Sequence, residues 1–263
     1  MCRHLCYLGD RPVRLRELLF DQPHSLVRQS YAPADMRGGG SVNADGFGVG
    51  WYDGAGRAVR YRRAGPIWQD SGFGELADQV SASTMLAAVR NATAGMPVTE
   101  AAAAPFTDGH WLFSLNGRID GWPDTATGVA GSLPVRSLLT LDAPTDAALL
   151  WAALQQRLAG RSDPAAVIAE LVAEVLAAAP DSRLNLLLTD GVRCYATTVT
   201  HALSARDRPT VLASEPLDDD PAWQPVPDGS LVIADRDGVQ VRPLAGAPPA
   251  AASQTLGEGS VNR

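Results

Sequence analysis

Cys2-Arg3-His4-Leu5-Cys6-Tyr7-Leu8 is short and apolar enough to be a strand, so the chain opens as core. Val13 to Phe20 follows as a short helix with Leu15, Leu18 and Leu19 on one face. The segment from Asp21 to Asn43 holds Pro23, Pro33 and Gly38-Gly39-Gly40 without a sustained period, and a loop of that length in a compact domain is usually functional. Strands are expected at Gly46 to Tyr52 and Ala58 to Arg62, with Asp53-Gly54 as a turn between them. A helix is expected at Gly72 to Val80, then strands at Thr84 to Arg90 and Trp111 to Leu115.

Two amphipathic helices are predicted at Asp146 to Leu158 and Pro164 to Ala178. The second carries Val167, Ile168, Leu171, Val172, Val175 and Leu176 at helical spacing, with Pro164 in its first turn. Strands return at Leu184 to Leu188, Val192 to Thr198, Val211 to Ala213, Leu231 to Ala234 and Val239 to Val241. Strands, then two helices, then strands imply one α+β domain over residues 2 to 243, with antiparallel sheets and segregated helices. Residues 244 to 263, rich in Ala, Pro, Gly and Ser, are expected to form a disordered tail.

Composition narrows the function. The 263 residues carry a net charge of −7, and every basic residue is Arg, with no run longer than Arg60 to Arg63. Nucleic acid and anionic lipid need a concentrated positive patch, so neither is expected as a partner. No apolar run reaches the length of a membrane span, and the N-terminus lacks the regions of a secretory signal, which points to a cytoplasmic protein acting on a small molecule. Three cysteines, Cys2, Cys6 and Cys194, make a disulfide framework improbable.

Five features could carry chemistry, and each also has a bland reading. Removal of Met1 would leave Cys2 with a free α-amine of pKa about 7.7 to 8, so that thiol and base share one residue; a free Cys is more often a small buried hydrophobe. Asn43-Ala44-Asp45-Gly46 runs into a Gly-rich strand, as a tight turn would. Arg90 ends an apolar strand ahead of Thr93, where its fork could hold a carboxylate or simply face solvent. Asn116-Gly117 could converge two N–H groups on an oxyanion or form a hairpin. Asp146 sits at a helix start, where capping alone would explain it. Cys2, His4 and Cys6 do not match zinc spacing, and no metal or cofactor is expected. No Gly-x-Ser-x-Gly elbow supports a serine hydrolase.

Taken in order, Cys2, Asn43-Ala44-Asp45-Gly46, Arg90 with Thr93, Asn116-Gly117 and Asp146 resemble the class II glutamine amidotransferases, a branch of the N-terminal-nucleophile hydrolases. Within that family the chain most resembles the stand-alone amidohydrolases of ergothioneine biosynthesis, through Cys2-Arg3-His4-Leu5, Gln29-Ser30-Tyr31-Ala32-Pro33, Asn43 to Trp51 and Val211-Leu212-Ala213-Ser214-Glu215-Pro216-Leu217. The resemblance implies a four-layer αββα sandwich with two antiparallel sheets. It makes Cys2 the nucleophile, its α-amine the base, and Asn116 and Gly117 the oxyanion donors. Arg90, assisted by Thr93, would grip the α-carboxylate of a γ-glutamyl substrate and Asp146 its α-ammonium, with Asn43, Asp45 and Gly46 as a supporting loop. The substrate implied is γ-glutamyl-hercynylcysteine sulfoxide; a glutaminase subunit feeding ammonia to a synthase is the alternative, and a retired scaffold a further one. Many members have His before the Asn-Gly pair, whereas this chain has Leu115, which strand alternation should turn away from the face used by Asn116. Tyr31, Trp51 or Trp68 could cover a betaine leaving group, which would suit an aromatic or acidic lining. Oligomeric state is left open.

Overall fold

The computed structural model describes residues 2–36 and 42–245. The chain begins with β1 (Arg3–Arg14), α1 (Leu15–Leu19), α2 (Leu26–Gln29), β2 (Phe47–Tyr52), β3 (Ala58–Arg63), α3 (Ser71–Gln79) and β4 (Ser81–Val89). It continues through β5 (Phe106–Thr107), β6 (Leu112–Arg118), α4 (Thr127–Gly131), α5 (Val135–Leu139), α6 (Asp146–Leu158) and α7 (Pro164–Ala178). The last third is β7 (Arg183–Thr189), β8 (Cys194–Thr198), β9 (Ser204–Arg206), β10 (Thr210–Ala213), β11 (Gln224–Pro225), β12 (Ser230–Asp235) and β13 (Gly238–Pro243).

Two sheets result. One has seven strands in the order β11-β9-β10-β1-β4-β2-β3, the other six in the order β13-β12-β8-β7-β6-β5. Their pairings are antiparallel. Leu5 and Tyr7 of β1 face an outer core with Leu15, Leu19 and Phe73 of α1 and α3, while Cys6 and Leu8 face an inner core with Leu187, Cys194 and Val232 of the second sheet. Because both faces of β1 are covered, its sequence reads as continuous apolar residues rather than as alternation. On the far side, Val167, Ile168, Leu171 and Val172 of α7 and Leu150 and Leu154 of α6 pack with Leu186 and Leu188 of β7. Helix, sheet, sheet and helix stack as the four-layer αββα sandwich.

Helices α6 and α7 match the predicted spans at both ends. Asp163 caps α7 by accepting from Ala165 and Ala166 N–H, with Pro164 at its first position. Several expectations need correction. Asn116-Gly117 is not a hairpin: β6 runs through it, pairing Asn116 with Asn185 and Gly117 with Leu184. The first strand extends to Arg14, with an irregularity between Leu8 and Val13, so the helix starts at Leu15. The segment from Asp21 to Asn43 contains α2, whose Ser25 cap accepts from Arg28 N–H at 3.3 Å. Short elements such as β5, β9, β11, α4 and α5 had no sequence expectation, since two to five residues carry no period. Leu244, placed in the expected tail, is buried in the helix-side core and donates its N–H to the Gly229 carbonyl at 2.7 Å. Residues 246–263 of that tail lie outside the described residues. No helix among the described residues is long and apolar enough to cross a membrane.

Candidate active site

Cys2 precedes β1 at the point where the strand's two neighbours both end. Arg3 pairs with Val89, the last residue of β4, and Leu5 pairs with Ala213, the last residue of β10. The Cys2 thiol, half-buried, donates to the Asn91 carbonyl at 3.6 Å. Its own carbonyl accepts from Arg3 Nη1 at 3.0 Å. Arg3 is only 2% exposed, and its Nε donates to Glu215 Oε1 at 2.7 Å. Glu215 Oε2 in turn accepts from Ala34 N–H at 2.7 Å, and Arg3 Nη2 donates to the Asp35 carbonyl. A buried ion pair is kept only where hydrogen bonds satisfy both partners, and here the satisfied pair holds the backbone at Cys2 against residues 34–35. The sequence offered one clue to this brace, a charged residue inside an otherwise apolar strand.

On the β4 side of Cys2 lies a pocket whose lining includes Arg90, Asn91, Thr93, Gly117 and Asp146 together with Cys2 itself. The loop before β2 sets Arg90 in place. Asp45 N–H donates to the Arg90 carbonyl at 2.9 Å, Arg90 N–H donates to the Gly46 carbonyl at 2.7 Å, and the Asp45 carboxylate accepts from Ala92 N–H at 2.8 Å. Gly46 has φ +138°, and a Cβ there would stand 3.2 Å from both the Ala103 side chain and the Arg63 carbonyl, so the close approach needs glycine. Asn43 is buried behind the loop, its N–H on the Ser30 carbonyl at 2.6 Å. The Arg90 side chain donates to the Pro97 carbonyl at 2.8 Å, and no carboxylate among the described residues pairs with it. Its charge is therefore available to an anion entering the pocket.

Asp146 opens α6 but does not cap it. The cap is Thr145, whose hydroxyl accepts from Ala148 N–H at 3.2 Å, which frees Asp146 to turn into the pocket. One carboxylate oxygen accepts from Ile119 N–H at 3.0 Å and the other from Ala147 N–H at 2.8 Å. Burial raises its pKa above the ordinary carboxylate value, against the opposing pull of these N–H groups and of Arg90. A buried carboxylate beside an unpaired guanidinium presents both charges that an amino-acid head group needs.

Gly117 lines the pocket, whereas Asn116 is not among the lining residues. It is 1% exposed, and its amide Nδ2 donates to Ser214 Oγ at 3.2 Å. Leu115 points away from Asn116, as strand alternation requires, but it is Leu115 that borders the pocket beside Gly117 while also packing into the helix-side core. Gly117 has φ +155°, and a Cβ built on it would lie 1.9 Å from the Arg183 carbonyl oxygen. Two buried imidazoles stand nearby. His4 Nδ1 is hydrogen-bonded to Ser114 Oγ at 3.1 Å, and burial, then the charges of His201 and Arg3, lower its pKa to about 3. His201 is lowered to about 4 by burial and then by Arg183 and Arg3. Neither is charged at neutral pH, and no histidine lines the pocket.

On the β10 side of Cys2 a wider cavity of about 680 Å³ is lined by Asp35, Glu215, Asp218, Asp219, Asp220 and Trp223, among others. Tyr31, Trp51 and Trp68 do not line this cavity: Tyr31 and Trp68 meet edge to face at 5.7 Å with both side chains exposed, and Trp51 packs against the outer core. Trp223 had drawn no attention in the sequence, because it stands in a Pro- and Asp-rich stretch without a period.

Residues 15–206 match the family model for class II glutamine amidotransferases. The chain belongs to that family. As a class II glutamine amidotransferase family member it is 42% identical to the γ-glutamyl-hercynylcysteine sulfoxide hydrolase of Mycolicibacterium smegmatis over 246 residues, covering 93% of this chain and 100% of that protein. It is 41% identical to the protein of the same name from Mycobacterium tuberculosis, over 93% of this chain and 97% of that one. A glutamine aminotransferase class-II domain protein from Silicibacter pomeroyi superposes with a TM-score of 0.66 at 20% identity, over 93% of this chain and 100% of that one, and so shares the fold.

Proposed function

We propose that this class II family member hydrolyses the γ-glutamyl amide of γ-glutamyl-hercynylcysteine sulfoxide, releasing glutamate and hercynylcysteine sulfoxide. The observation that carries the reading is one pocket lined by a thiol, a guanidinium without a carboxylate partner and a buried carboxylate. In this reading Arg90 takes the α-carboxylate, with Thr93 beside it, and Asp146 takes the α-ammonium, so the γ-carbonyl is presented to Cys2. Fixing a substrate at both charges is worth several kcal/mol of barrier, because it replaces a chance encounter by one orientation.

Removal of Met1 frees the α-amine of Cys2, which takes the thiol proton; with both histidines nearby held neutral and away from the pocket, the amine is the base at hand. The thiolate adds to the γ-carbonyl, and the Asn116 amide and Gly117 N–H receive the oxyanion. Collapse expels the hercynylcysteine sulfoxide amine, which takes its proton from the ammonium of Cys2. Water then adds to the γ-glutamyl thioester, the amine again accepting a proton, and glutamate leaves as the thiol reforms. The leaving group carries a quaternary ammonium, and the carboxylates of the wider cavity suit such a cation, although the Trp223 ring there is already covered by the Arg206 guanidinium at 4.9 Å and Asp218 is paired with the same arginine. That cavity favours a bulky cationic amine over the ammonia released from glutamine.

Glutamate release from γ-glutamyl-hercynylcysteine sulfoxide and from glutamine, measured in parallel with Cys2→Ala as control, tests the reading. Preference for the former is expected. Equal or better use of glutamine would overturn it in favour of an ammonia-supplying glutaminase.

A further inference from the structure

Cys2 precedes a strand of the first sheet, and Asn116 belongs to the second. No ladder joins β1 to β6, so the distance between nucleophile and oxyanion donor depends on side chains that cross the gap between sheets. At this end of the gap two hydroxyls make the crossing: Ser114 Oγ of β6 meets His4 Nδ1 at 3.1 Å, and Ser214 reaches Asn116 itself. Ser214, the residue after β10, is 3% exposed. Its Oγ accepts from His4 N–H at 3.0 Å and from Asn116 Nδ2 at 3.2 Å, and donates to the His4 carbonyl at 3.3 Å. A hydroxyl has one proton and two lone pairs, and all three are used.

We propose that Ser214 is a positioning residue for the hydrolysis: its hydroxyl, locked by the backbone of His4, fixes which end of the Asn116 amide is presented and where. The proposal rests on the reading of Asn116 as an oxyanion donor. The last torsion of an Asn side chain is broad and nearly two-fold, so an amide can present oxygen or nitrogen in the same place. Asn116 Oδ1 is buried with no partner and cannot choose between them. Ser214 can, because its proton is committed to the His4 carbonyl and one lone pair to His4 N–H, leaving only an acceptor for Asn116. The amide must offer Nδ2, whose second N–H stays free for an oxyanion. A flipped amide would set a carbonyl oxygen against the developing negative charge. The strand that follows Cys2 thereby sets the polarity of the donor on the opposite sheet.

The test measures kcat and KM for γ-glutamyl-hercynylcysteine sulfoxide in Ser214→Ala, Ser214→Cys, Asn116→Ala and the double variant S214A/N116A, with thermal unfolding of each. Loss of Ser214 should lower kcat roughly ten-fold, the effect of one neutral hydrogen bond, with KM within about two-fold. Ser214→Cys preserves most of the volume while weakening the bond, so it should lose a similar factor, and it carries the test if the alanine variant does not fold. Asn116→Ala should lose about 10²-fold or more, and adding S214A to it should cost nothing further. Wild-type kcat in either Ser214 variant, or the same ten-fold loss repeated in the Asn116→Ala background, would overturn the proposal alone. Wild-type kcat in Asn116→Ala would remove the oxyanion reading and the proposal with it.

Discussion

The gap between the two sheets is built differently at its centre and at the end beside Cys2. At the centre Cys6, Leu86, Leu187, Cys194 and Val232 meet with apolar contacts, none more than 1% exposed. At the end His4, Ser114, Asn116 and Ser214 meet through hydrogen bonds of 3.0 to 3.2 Å, in equally complete burial. Apolar contact holds sheets together without direction, whereas a hydrogen bond weakens within a few tenths of an ångström or tens of degrees. The centre supplies cohesion and the end supplies registration. Thiols show the same contrast: burial pushes Cys194 well above its ordinary pKa and keeps it protonated, while Cys2 lies outside that apolar layer and lines a pocket.

If this division is real, activity and stability should separate on mutation. Cys2→Ala should cut glutamate release by at least about 10³-fold while leaving the urea unfolding midpoint nearly unchanged; a large drop in the midpoint would show the two ends to be less distinct than drawn. Leu187→Ala should do the reverse, costing about 2–5 kcal/mol of unfolding free energy with kcat within about two-fold at a temperature where the protein is folded. Arg90→Lys keeps the charge but loses the planar fork, so kcat/KM should fall about 10- to 100-fold, and an unchanged value would mean that Arg90 does not grip a carboxylate. The smallest effect is pH-dependent. His4 and His201 have folded pKa values of about 3 and about 4, below the value of about 6.5 in an unfolded chain. Between those limits the unfolded state binds more protons, so stability falls as pH falls, by up to about 1.4 kcal/mol per pH unit for each histidine. His4→Gln should flatten the urea-midpoint profile between pH 6.5 and 5 by about one such contribution, and an unchanged slope would show His4 to be protonated in the folded state.

Much of this was legible beforehand where the physics is local. Helices α6 and α7 announced themselves because an amphipathic period and a cap act within one segment. Asn116-Gly117 was ambiguous because the same dipeptide serves turns and strands, and only the pairing of β6 with β7 decides between them. Asp146 was expected at a helix start, but that Thr145 takes the capping role and leaves the carboxylate for the pocket depends on where α6 sits relative to Ile119. The Arg3–Glu215 brace joins residues 212 positions apart, and the cavity at Trp223 is assembled from four separate stretches; neither has a short-range signature. The resemblance did what periodicity could not, by naming residues whose proximity only the topology creates.

Gly117 carries a consequence for how this chain can evolve. Its conformation is one that side-chain-bearing residues avoid, and the space a Cβ would fill is taken by the Arg183 carbonyl. Two independent barriers close the position, so no intermediate variant can relieve one and await the other. A lineage can drift at exposed positions such as Val135 and Leu139, which border neither the pocket nor the gap between the sheets. At residue 117 it has a single permitted letter, and descendants with altered chemistry should differ around that point while keeping it.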